Sequence, residues 1–214
     1  MLTFTSLTQD PNLPKKLLIG SLLALTGFGM IPILGWTLEI IRRNAQEQEL
    51  IWPEWENLGA LALQGIKALT LVTIWLLPVI LPVLGLSIVG VFLPEYFAAE
   101  DDAVMAIILL NFCMVGWAFV YGLPVAFLSV PAFGILATNS FREALNPLNT
   151  WRVLKANPGG FLLAWTLATG TSLVLGTLGS FLCLIGTFPA FVITYGLMGQ
   201  YYGMAYREAL DRLT

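Results

Sequence analysis

Four charge-free, mostly apolar stretches organise the chain: residues 17–38, 68–94, 103–141 and 156–206. A helix rises about 1.5 Å per residue and a bilayer core is about 30 Å thick, so each stretch is long enough to cross. The first predicts one crossing of about 33 Å. The second predicts one long crossing of about 40 Å, tilted or bent at Pro78 and Pro82. The third, at about 58 Å, is too long for one straight helix and tight for two. Pro124 and Pro131 offer places to bend it, or to end the crossing and continue along the interface. The fourth predicts a helical hairpin turning between Gly176 and Pro189, where Gly179, Ser180 and Gly186 weaken helix continuity. The expected architecture is an all-α, polytopic transmembrane bundle of about five crossings, or about six if the third stretch splits.

Two joints between the stretches are amphipathic. From Trp55 to Leu69, Glu56, Gln64 and Lys67 share one helical face, and Trp55, Leu58, Ala62, Ile66 and Leu69 share the other. In the second joint Asn146-Pro147 reads as an N-cap and first helical residue, and Leu148, Trp151 and Leu154 recur at threes. Asn157-Pro158-Gly159-Gly160 then stops the helix. Trp52, Trp55 and Trp151 are expected as interfacial anchors, because an indole has an apolar body and a polar tip. The joints also carry a weak internal repeat. Pro32-Ile33-Leu34-Gly35 is followed by Arg42 and Arg43, and Pro131-Ala132-Phe133-Gly134 by Arg142. Each leads through a Trp-bearing segment with a late lysine, Lys67 or Lys155, and Pro189-Ala190-Phe191 before Arg207 is a third echo.

Composition agrees with the pattern. Hydrophobic residues make up 57% of the chain and charged residues 11%, whereas a soluble domain holds about 45–50% and about 25%. Lipid must therefore solvate much of the surface. The organisation expected is a polar leader at 1–16, a single membrane domain at 17–207 and a short tail at 208–214. The leader, with Thr5, Thr8, Gln9, Asp10, Pro11 and Pro14, lacks the basic start of a cleavable signal peptide. A net charge of −3 without a basic block argues against nucleic acid as a partner. Cys113 and Cys183 both lie in apolar runs and read as packing residues, and the chain has no histidine. No metal and no cofactor is expected.

Charge also assigns the sides. The loop at residues 95–102 holds four acidic residues and no lysine or arginine, whereas the joints and the C-terminal tail carry the basic ones. By the positive-inside rule the joints and the C-terminus are cytoplasmic and the acidic loop lies opposite. The first stretch is awkward: a single crossing leaves Lys15 and Lys16 on the outer side, unless that stretch is a broken, re-entrant element.

Polar residues inside apolar stretches are the candidate functional positions. Glu39 precedes Arg42 and Arg43 by three and four residues, a spacing that favours ion pairing on one helix face over a gating role. Asn111 and Gln200 lie deep in the third and fourth stretches, where cross-helix hydrogen bonds are the expected role. Gly160, Ala164, Ala168, Ser172 and Gly176 recur every four positions, and Gly199 and Gly203 repeat the idea in the last crossing, as strips for close helix packing. No phosphate-binding Gly-x-x-x-x-Gly-Lys loop or Gly-x-Ser-x-Gly elbow is present. The acidic run Glu100-Asp101-Asp102 reads as a solvated loop.

Several blocks mix charged, aromatic and Gly/Pro positions in a set order: residues 35–43 (GWTLEIIRR), 52–57 (WPEWEN), Phe141-Arg142, 151–158 (WRVLKANP), 179–186 (GSFLCLIG) and 199–202 (GQYY). They resemble a family of prokaryotic membrane proteins, domain of unknown function 4013, over nearly all the chain after the first fifteen residues. The resemblance implies a multi-pass domain in a prokaryotic inner or plasma membrane, with the thylakoid as the alternative, and supplies no activity. The expected function is a non-enzymatic accessory, assembly or scaffold component that packs with itself or with a partner membrane protein. The alternative is a small transporter or channel component with its site between Pro/Gly-broken helices. A lipid-modifying enzyme would need a polar cluster around Glu54, Glu56 and Arg152.

Overall fold

The computed structural model describes residues 10–47, 52–92, 100–181 and 186–213. Eight helices carry the described residues, and there is no strand among them: α1 (Leu13–Leu25), α2 (Met30–Ala45), α3 (Leu58–Phe92), α4 (Glu100–Thr138), α5 (Phe141–Leu145), α6 (Pro147–Ala156), α7 (Pro158–Phe181) and α8 (Thr187–Asp211). Of these, α3, α4 from Val104 and α7 are long and apolar enough to cross a membrane. Most of the acidic loop, and Cys183, fall outside the described residues.

These three helices do not confirm the expected count of about five crossings, and the first stretch is one that does not form a single spanning helix. It is broken at residues 26–29 into α1 and α2, which are 13 and 16 residues long. Gly27 takes a φ of +73°, open to glycine at little cost. A Cβ on Gly29 would lie 1.8 Å from the Leu23 carbonyl oxygen, so only glycine lets the chain fold back against the end of α1. The second correction concerns the first joint, whose amphipathic segment is no separate interfacial helix. It forms the opening turns of α3, which runs unbroken for 35 residues with Pro78 and Pro82 inside. The third stretch likewise forms one 39-residue helix and does not split. The fourth forms the hairpin α7–α8. The second joint follows its local signals: the Asn146 side chain accepts from the Leu148 N–H, Pro147 opens α6, and the chain breaks at Asn157 before α7 begins at Pro158.

The chain forms two compact units, Met1–Leu71 with Leu128–Thr214, and Val72–Phe127. In the second, the later part of α3 packs on the earlier part of α4. Pro82 has no N–H to offer the Pro78 carbonyl four residues earlier. The indole Nε1 of Trp117 donates to that carbonyl instead, at 3.0 Å. A freed backbone acceptor among apolar helices has no water to turn to, and a neighbouring helix supplies the donor. Trp117→Phe keeps the ring and removes the donor, so it is expected to lower unfolding stability in lipid by about 1 kcal/mol. An unchanged unfolding midpoint would show that the carbonyl does not depend on Trp117.

The first unit is organised on α8, which packs against α1, α2, α6 and α7. Gly199 and Gly203 let the α2 backbone approach closely: a Cβ on Gly199 would stand 3.0 Å from the Thr37 carbonyl oxygen, and one on Gly203 3.0 Å from that of Ile41. The pairing shows α2 and α8 running in the same direction. At the far end of α8, Asn157 ties the start of α7 to it by donating to the Ala205 carbonyl at 3.2 Å and to the Glu208 carboxylate at 3.0 Å. The first turns of α3 cross α2 at a pair of glycines, where a Cβ on Gly35 would fall 1.8 Å from the Leu61 oxygen and one on Gly65 1.8 Å from the Ile31 oxygen. The final turns of α4 meet α8 where Gly134 lies flat against the Tyr206 ring and Thr138 Oγ1 shares a 3.1 Å hydrogen bond with the Tyr206 hydroxyl.

The three repeat motifs land differently. Pro32 and Pro189 sit in the first turns of α2 and α8, where a missing N–H costs nothing, whereas Pro131 lies inside α4. Gly35 and Gly134 do share a role, as points of closest approach to a neighbour.

Candidate functional site

Within the first unit, polar and aromatic groups converge where α1 starts and where the segment after α2 leads into α3. Lys16 has only 1% of its surface exposed. A buried ammonium must be paired or lose its charge. Here it donates to the Asp10 carboxylate at 2.7 Å and to the Trp52 carbonyl, and it pairs with Glu54 at 3.2 Å. Asp10 also accepts from the Asn12 backbone N–H at 2.9 Å, and the Asn12 carboxamide donates to Glu54 at 3.2 Å. Three indoles lie beside this cluster. Trp36 stacks on Trp55 at 4.8 Å between centroids and meets Trp52 edge-on at 5.3 Å. Trp55 Nε1 donates to the Lys16 carbonyl at 2.8 Å and Trp36 Nε1 to the Pro53 carbonyl at 2.9 Å, which fixes the segment 52–55 between α1 and α2. Gly196 on α8 leaves room for the Trp52 ring, since a Cβ there would sit 2.6 Å from it.

A polar pocket of about 430 Å³ opens beside this cluster, lined among others by Lys16, Glu39, Arg43, Glu54, Glu56 and Gln64. Its charged groups are largely committed to one another. Glu39 accepts from Arg42 at 2.6 and 2.8 Å and from Arg43 at 3.1 Å. Burial works against its charge, but the hydrogen bonds and charges of Arg42 and Arg43 outweigh burial and hold its carboxyl below the usual carboxylate range. A carboxylate so held stays ionised near neutral pH and is poorly suited to carry protons. The Lys16 ammonium, with three acceptors, has no lone pair to act as base or nucleophile. The arrangement clamps the chain together, and no group of His, Cys, Asp or Glu suited to a metal occurs among the described residues.

The other sequence candidates lie apart. Gln200 is buried on α8. Asn111 belongs to the second unit, is exposed, and donates to the Ile107 carbonyl of its own helix at 2.8 Å. Neither lines the polar pocket. On α7, Ala164 and Ala168 are buried and Gly160 sits against the Asn157 side chain, but Ser172 and Gly176 are exposed. Gly179 takes their place toward α8, where an added Cβ would stand 3.0 Å from the Thr187 Cα. The strip thus rotates off the packed face halfway along, because 3.6 residues per turn do not keep a four-residue ladder on one side. Trp151 is exposed with the Lys155 ammonium over its ring at 5.5 Å, as an interfacial position allows. The anchor reading of Trp52 and Trp55 is corrected: both indoles are buried inside the protein. Sequence reasoning missed Asp10, Lys16 and Trp36, and the signal available was the Trp-Pro-Glu-Trp-Glu-Asn block facing an isolated Asp–Lys pair.

Residues 18–184 match the family described as protein of unknown function (DUF4013). The chain belongs to this family. The match takes in α1 from Leu18 through α7 and leaves α8, Asp10 and Lys16 outside it. No curated protein and no solved structure matches the chain.

Proposed function

We propose that this DUF4013 protein is a non-enzymatic accessory or assembly component, packing through its membrane helices with a partner membrane protein or a second copy of itself. One observation carries the reading. Ser172 and Gly176 stand exposed about one turn apart on α7, and a Cβ on Gly176 would meet nothing within 4 Å. A pair of small residues of this kind lets a foreign helix approach to backbone contact, the main source of helix association in lipid. The polar side chains support the same reading. Thr70, Ser87, Asn111, Thr177 and Ser180 each donate to the carbonyl four residues earlier in their own helix, so they offer little to a polar solute. The basic residues of the joints and tail, with Arg152, Lys155, Arg207 and Arg212, support a cytoplasmic side for the C-terminus and both joints in a prokaryotic membrane, by the positive-inside rule.

Because Ser172 and Gly176 are exposed, Ser172→Leu and Gly176→Leu leave the fold intact and remove the close approach. The expected result is loss of crosslinking and co-purification with the partner or second copy, with the unfolding midpoint unchanged or raised. Association that survives both substitutions, or a protein found only as a monomer in native membranes, would overturn the reading. Solute flux into liposomes that depends on Glu39 or Asn111 would favour the transporter alternative.

A further inference from the structure

We infer that α1–α2 is a re-entrant hairpin, entering and leaving the bilayer on one side, with acyl chains as the partner of its exposed apolar edge. The lengths set the frame. At about 1.5 Å per residue, α1 is about 20 Å long and α2 about 24 Å, and each falls short of a hydrocarbon core of about 30 Å. The turn at Gly27 and Gly29 sends the chain back. Charge is sorted along the hairpin. Residues 17–38 hold none, whereas Asp10, Lys15 and Lys16 stand just before them and Glu39, Arg42 and Arg43 just after.

The open end of the hairpin is closed by contacts. The Lys16 ammonium reaches the Trp52 carbonyl, and Trp55 Nε1 reaches the Lys16 carbonyl, so the first turn of α1 and the chain after α2 meet at one level. No route is left for residues 10–16 to lie across a membrane from residues 52–55. This removes the conflict over Lys15 and Lys16, which stand on the side of the basic joints.

The outward face of α1 names the partner. Leu18, Leu22 and Leu25 recur one turn apart at 63%, 58% and 63% exposure, and Phe28 at the tip is 85% exposed. Beside them runs a groove of about 630 Å³, lined by α1 leucines together with Phe188 and Pro189 of α8. Its one hydroxyl, on Ser21, donates to the Leu17 carbonyl at 2.6 Å. A surface with no free donor, on a chain with three helices fit to cross a bilayer, suits acyl chains, whereas a soluble protein partner would leave it without polar registration.

The test uses the full chain in oriented membranes, with Cys113→Ser and Cys183→Ser as background and single probes at the exposed Lys15→Cys, Gln46→Cys and Phe28→Cys. The expected result is labelling of Lys15→Cys and Gln46→Cys by an impermeant maleimide from the same side. Phe28→Cys should stay unlabelled from both sides until detergent is added, and a nitroxide on it should relax more with oxygen than with a water-soluble paramagnet. Labelling of Lys15→Cys and Gln46→Cys from opposite sides would overturn the hairpin. Ready labelling of Phe28→Cys from water, or its protection by a second copy in detergent, would overturn acyl chains as the partner.

Discussion

Lys16→Ala is expected to destabilise the first unit by about 3–5 kcal/mol, the range for removing one partner of a buried ion pair. The reason is what the lysine leaves behind. The Asp10 side chain is 2% exposed and would be left without its cationic partner beside an empty space, and the Trp52 carbonyl would lose its donor. Glu54 is at the surface enough to take water instead. A paired change separates charge from packing: Lys16→Met with Asp10→Leu removes both buried ions and is expected to recover a large part of the loss. Unfolding in mixed micelles followed by tryptophan fluorescence reads both variants, since Trp36, Trp52 and Trp55 report on the cluster. A Lys16→Ala midpoint equal to that of the parent would mean that the ammonium does not hold these elements together.

Gly35→Ala is expected to be as damaging through a different cause. The added methyl would stand 1.8 Å from the Leu61 carbonyl oxygen, and the obstruction is backbone, which has no rotamer to move. The α2–α3 crossing must open by more than an ångström, which also separates Gly65 from Ile31. Overpacking costs about 1–3 kcal/mol where side chains can shift, so a backbone clash belongs at about 3 kcal/mol or more. Gly59→Ala is the control, because nothing lies within 4 Å of its Cβ position and its effect should stay within about 0.5 kcal/mol. Equal midpoints for the two variants would show that the crossing is looser than the geometry states.

Features written in adjacent residues were legible in the sequence. Asn146-Pro147 capped α6 as its chemistry dictates, α7 ends at Phe181 and α8 begins at Thr187 within the segment expected to turn, and the Glu39–Arg42–Arg43 pairing followed from helical spacing. Features that depend on distant contacts were not. The break at Gly27 and Gly29 lies in an uncharged run long enough to cross, and only the fold back onto Leu23 distinguishes it from a spanning helix. Trp52 and Trp55 have the amphipathic placement of headgroup anchors, and the same placement suits a core once α1 and α8 cover it. Counting basic residues treated Lys16 as a marker of sidedness because burial does not register in a count. Prolines in the second stretch suggested a bend or a break, yet α3 continues as a helix with Trp117 serving the carbonyl that Pro82 cannot. At the site, Asn111 was expected to bond across helices and bonds within its own.

The position of α8 in the chain has a consequence for biosynthesis. The helix on which α1, α2 and α7 pack is translated after all of them, and its contact with α2 at Thr37 and Tyr195 closes a sequence separation of 158 residues. Loop closure of that length comes late, so α1 and α2 leave the ribosome with the face meant for α8 still uncovered. The nascent protein therefore passes through an interval in which Ile40 and Ile41, covered in the finished fold, still lack their α8 cover. A premature stop before Thr187 would make that interval permanent, turning a transient folding intermediate into the degradation substrate.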